Sequence, residues 1–160
     1  MFIGPCYTLK NNGVSISTAI SVIQLKAGVN GPIELTRASQ TQGSSTTSSQ
    51  IAAKLVRKTA GATVTAAVAG TTLLKQNPVN PASDASLGTA ATGITASAEG
   101  TDGEAPIERG HNVLNGWEWL PTPEERELVP QGGIVALKNS VAVPSATYYA
   151  EIAFRELRGG

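Results

Sequence analysis

One cysteine, Cys6, and one histidine, His111, in 160 residues remove several chemistries at once. A lone cysteine closes no intrachain disulfide, so a small disulfide-stapled scaffold is excluded. A single histidine leaves no multi-histidine zinc site. Charge is also scarce, at 15% of positions, and 12 Lys+Arg balance 12 Asp+Glu to a net charge of zero. Binding phosphate needs clustered, uncompensated cations, so neither nucleic acid nor a membrane surface is an expected partner. No run approaches the roughly 18 apolar residues that a bilayer-spanning helix requires. Met1 to Cys6 lacks the basic and long apolar regions of a signal peptide, and Gly4 and Pro5 interrupt it. Synthesis in a reducing cytoplasm, without export, is the expectation.

What the chain does have is small residues, many of them Ala, Gly, Ser, Thr and Val, arranged in alternating order. Val14, Ile16, Thr18, Ile20 and Val22 share one parity and Ser15, Ser17, Ala19 and Ser21 the other, which describes a half-buried strand. Ile33–Ala38 alternates again, and Gln40 to Gln50 is too polar to pack and reads as a loop. Ile51 to Lys58 fits a strand better than a helix, because the β-branched run around Val64 and Thr65 follows it. Pro78 and Pro81 block any regular element, and Ala82 to Gly88 has room for one helical turn. Ile94 to Glu99 resumes as a strand, and Thr101 to Pro106 is a turn. In the last strand Tyr148, Ala150, Ile152 and Phe154 line one face, while Tyr149, Glu151, Ala153 and Arg155 line the other. Its length and apolar content suit a central position in a sheet.

Short strands, turn signals at irregular intervals and no amphipathic helix predict an all-β antiparallel sandwich of about eight strands, jelly-roll-like, with immunoglobulin-like packing as the second choice. An N-terminal arm, residues 1–13, precedes a single domain, residues 14–160.

Candidate chemistry is thin. Ser140 or Ser145, His111 and Asp102 compose a triad only on paper, since no nucleophile-elbow glycines accompany either serine. Glu124, Glu125 and Glu127 sit together on one turn, whereas glycosidase carboxylates must face each other across a cleft. Helix-start electrostatics and a local pair with Arg126 explain them better, with Thr122 as N-cap and Pro123 at the first helical position. Trp117 and Trp119 have three readings: core bulk, a subunit interface, or a platform for stacking sugars. The terminal Leu157–Gly160 matches the conjugating tail of ubiquitin, but no segment fits that fold's central helix. No catalytic residue, metal site, cofactor or small-molecule substrate is expected.

The segments Ile33 to Thr41, Arg109 to Arg126 and the final strand together resemble small tailed-phage virion proteins, the jelly-roll cement or decoration proteins of phage and prophage heads. The stretch Gly116-Trp117-Glu118-Trp119-Leu120-Pro121-Thr122-Pro123-Glu124 is its most specific part. The resemblance implies a homo-oligomer, a trimer, on the capsid surface of a virion, with the major capsid protein as partner. Candidate partner contacts are Phe2, Ile3 and Tyr7 in the arm, and Trp117, Trp119, Glu124 and Arg126 in the third quarter. A neck, tail or fibre component, or a carbohydrate-binding β-sandwich module using either tryptophan, is the alternative. Zero net charge suits association, since it removes the self-repulsion between copies.

Overall fold

A computed structural model describes residues 4–44, 46–85 and 91–157. Strands make up 54% of it, in two antiparallel sheets packed face to face. The first sheet contains β1 (Cys6–Lys10), β2 (Val14–Ile16), β4 (Ile33–Gln42), β7 (Leu73–Lys75), β11 (Trp117–Trp119), β12 (Leu128–Val129) and β14 (Ala146–Glu156). The second contains β3 (Ser21–Lys26), β5 (Gln50–Ala60), β6 (Thr63–Ala66), β8 (Gly93–Ala98), β9 (Thr101–Asp102), β10 (Ile107–Asn112) and β13 (Ile134–Asn139). The spatial orders are β11-β4-β14-β1-β7 and β10-β5-β13-β3-β8-β6, with β12 beside β4, β2 beside β14 and β9 beside β5. The sandwich expected from the alternation is therefore present.

β14 is central, pairing along one side with β4 and along the other with β1 and β2. Its alternation sorts as the sequence reading expects. Tyr148, Ala150, Ile152 and Phe154 are buried, and Tyr149 stands out from the opposite face. Across the core, Leu55 of β5, Leu137 of β13 and Ile23 and Leu25 of β3 meet them in one continuous apolar cluster. Since side chains alternate along a strand, Lys54, Val56 and Lys58 face away from that core, as does Lys138.

Two expectations change. The run from Val14 to Val22 is not one strand: β2 ends at Ile16, and the chain crosses to the other sheet before β3 starts at Ser21. The continuous run of apolar residues at even positions hides the crossing: Val14 and Ile16 turn inward in β2, whereas Ile23 and Leu25 do so in β3, with Val22 buried beside them. The segment 1–13 is also not an arm over its described length. Cys6–Lys10 lies between β14 and β7, with Tyr7 and Leu9 1% and 0% exposed. Its apolar alternation is only five residues long between Pro5 and Asn11, too short to stand out from a tail.

Candidate functional site

β10 and β11 end the two sheets on the same side of the sandwich, so two strand edges that have no ladder partners among the described residues flank one opening. A tight connection joins them. Asn112 opens it, its Oδ1 accepting from Leu114 N at 2.9 Å and its carbonyl from Asn115 N at 3.0 Å. Gly116 closes it with φ of 70°, and a Cβ there would lie 2.8 Å from Thr41 Cγ2 and 3.0 Å from Gln40 O. Only glycine combines that backbone with that approach. Trp117 and Trp119 then pair opposite Gln40 and Ala38 of β4.

Beyond β11, Pro123–Glu125 forms a 3₁₀ turn in which Thr122 Oγ1 donates to Glu125 Oε2 at 3.1 Å. The expected turn and its Thr-Pro start are present. Between this turn and β10 runs a groove of about 520 Å³, walled by Pro106 and Ile107 on one side and Trp119, Leu120 and Pro121 on the other. Leu120 is 72% exposed. Arg109 also lines the groove and, among the described residues, has no ion-pair partner. Glu127 is buried at one end, accepting from Arg57 Nε at 2.5 Å, and that bond is the main reason the guanidinium pKa rises. Arg57 also reaches Glu104 at 3.0 Å.

The candidate contacts fall into separate places. Trp119 is half-buried in the groove wall, and Trp117 beside it is 8% exposed and belongs to the core. Glu124 is exposed on the 3₁₀ turn and does not line the groove. Arg126 does not pair with its neighbouring glutamates; it turns to Glu34 at 3.5 Å, where Arg155 also binds. Tyr7 is corrected outright as a partner contact, because its ring packs on Phe154 at 5.6 Å and its hydroxyl donates to Pro81 O at 3.0 Å. Phe2 and Ile3 lie outside the described residues. Pro106, Ile107, Arg109 and Glu125 were missed. No local pattern links Pro106 to Leu120, since only the change of sheet between β10 and β11 brings them together.

The chain was compared with family models, curated proteins and solved structures. It matches none of them. Among the described residues no three His, Cys, Asp or Glu side chains group as metal ligands. The groove offers apolar wall, the Arg109 guanidinium, the carboxylates of Glu118, Glu125 and Glu127 and, among the described residues, two unpaired strand edges. That combination suits a polypeptide surface or an added strand.

Proposed function

We propose that the chain is a structural virion protein of a tailed phage, a decoration or cement protein that seats on the head and ties adjoining major capsid subunits. In this reading it acts as a trimer. The observation that carries it is the groove, where exposed Leu120 and half-buried Trp119 stand beside the free edges of both sheets. Unpaired edges are a liability unless another chain or a protective device covers them, and an assembly protein supplies that cover. The strand order also supports a jelly-roll: successive long strands β3, β4 and β5 alternate between sheets, and β13 and β14 return to the centre of each.

The test is light scattering of the purified protein together with co-sedimentation on expanded heads that lack it. A trimer that sediments with heads is expected, and Leu120→Asp with Trp119→Ala should abolish sedimentation while leaving the fold intact by circular dichroism. A monomer at micromolar concentration that ignores heads overturns the proposal.

A further inference from the structure

On the outer face of the first sheet lies a second concavity, of about 310 Å³, over β1, β4 and β14. Tyr149, 46% exposed, lines it. An exposed aromatic is ordinarily free to turn, but this one is held at both edges. A Cβ at Gly13 would lie 2.9 Å from Tyr149 Cε1, and one at Gly43 2.9 Å from Cε2. The ring is wedged between two bare stretches of backbone with part of its surface still open. Such a platform loses little freedom when something stacks on it.

The rim is polar and charge-balanced. Tyr149 stands opposite Thr41, Glu151 stands opposite Ser39, and Lys10 stands opposite Glu151 on the other side. Asn11, 3% exposed, lines the same concavity. Its Oδ1 accepts from Ala150 N at 2.9 Å and Gly13 N at 3.5 Å, which fixes the orientation of the amide. Its Nδ2 is buried with no partner among the described residues, a state that native structures ordinarily avoid.

We propose that this concavity is a saccharide-binding groove in which one pyranose ring stacks on Tyr149. Ring hydroxyls meet the Thr41 and Ser39 hydroxyls, the Asn12 amide and the Glu151 carboxylate, whose Oε1 is already held by Arg37, at the rim. A flat aromatic face matches the C–H face of a sugar, and side chains that both donate and accept match its hydroxyls. A peptide would need apolar pockets that this face lacks. A nucleotide would need more cation than Lys10, since Arg37 beside the concavity is already paired with Glu151. The volume lies at the lower end of the roughly 300–1,000 Å³ of small-molecule sites, room for one or two sugar units. The proposal is independent of the decoration reading, since Tyr149 and Trp119 line separate concavities.

The experiment is an NMR titration of the whole chain with maltose, cellobiose, lactose and diacetylchitobiose, each to about 10 mM, a range that reveals dissociation constants near 1 mM. At least one disaccharide is expected to bind and to shift the amides of residues around Tyr149. Tyr149→Ala should weaken that binding at least tenfold, and Tyr149→Phe, which keeps the stacking face, by no more than about threefold. Trp119→Ala should leave it unchanged. Thr41→Lys, an exposed change that crowds the concavity, provides a second blocking variant if Tyr149→Ala does not fold. Failure of all four sugars to bind overturns the proposal, as does binding that survives both blocking variants. Head binding by Tyr149→Ala should stay as it is in the parent, so loss of one activity does not decide the other.

Discussion

On the outer face of the second sheet the Lys58 side chain has no exposed surface, and on the outer face of the first Arg37 keeps 42% of its own. Both are strand cations with carboxylate partners, yet their surroundings differ. Lys58 donates to Glu99 Oε2 at 2.8 Å and Asp102 Oδ1 at 2.9 Å, while Lys138 reaches Asp102 Oδ2 at 2.8 Å and Lys54 approaches it at 3.3 Å. The segment carrying Glu99 and Asp102 is thereby fastened over β5 and β13. Nearby, buried Gln24 fastens two more stretches: its Oε1 accepts from Ala62 N at 2.8 Å, and its Nε2 donates to Ala91 O at 2.6 Å. Arg37, by contrast, pairs with Glu151 across an open strand face. The second sheet uses its outer polar groups to hold its own cover; the first does so at one end, where Glu34 and Arg155 hold Arg126, and leaves Tyr149 open at the other.

Removing one partner from each face tests this difference most strongly. Lys58→Ala leaves two carboxylates beneath the cover with only Lys54 and Lys138 to balance them, and unfolding free energy should fall by about 3 kcal/mol, as for other broken buried pairs. Arg37→Ala should cost less than about 1 kcal/mol, the usual worth of an exposed pair. Urea denaturation midpoints measure both. Equal losses would mean that the two faces are not held differently.

Acid gives the next effect. Burial alone would push the Asp102 carboxyl up, but hydrogen bonds from Lys138 and Lys58 and their charges outweigh it and hold the group far below 3.8. Burial likewise opposes, and bonds from Lys58 and Ser21 again prevail, in lowering Glu99 below 4.5. A carboxyl depressed in the fold contributes stability that is complete above its unfolded pKa and is lost as pH falls through the folded value. Stability should therefore hold near neutrality and decline below about pH 4 to 5. Asp102→Asn should flatten that decline in thermal melts taken across pH, and an unchanged slope would deny the cluster its role. At the alkaline end burial lowers Lys138, but Asp102 and Glu99 more than reverse it. This raised group contributes below 10.5 and loses its contribution as pH climbs through the folded value.

Little of this difference was legible in advance. Alternation placed Tyr148 and Ile152 inside and Tyr149 outside, because a strand's parity is local and its apolar half must find a core. The lysine cluster ties Asp102 to Lys54, 48 residues earlier, from a stretch that reads as a turn, and Asp102 looks like any loop aspartate until β9 pairs it with Lys58. The Tyr149 platform depends on Gly13 and on Gly43, the latter in a stretch that reads only as a polar loop. The Trp119 groove was half visible, its β11 wall standing out by composition and its β10 wall appearing only once the strands take edge positions. Local periodicity reports a residue's face; what covers that face is decided by segments far along the chain.

The smallest expected effect concerns the edge strand that borders the groove. His111, on β10 opposite Ile51, is half-buried, and burial lowers its pKa below 6.5, opposed in part by a backbone hydrogen bond with Arg109. A base depressed in the fold favours its neutral form, so its contribution is present above 6.5 and drains away as pH falls below that value. Because it is the only histidine, its ring resonances titrate without overlap, and the midpoint should fall below 6.5. His111→Gln should remove a shallow step in stability just below pH 6.5 while the steeper decline set by Asp102 remains. A midpoint at or above the ordinary value would mean that water reaches the ring freely. β10 would then be a loose edge, and the groove beside it would have only its Trp119 wall fixed.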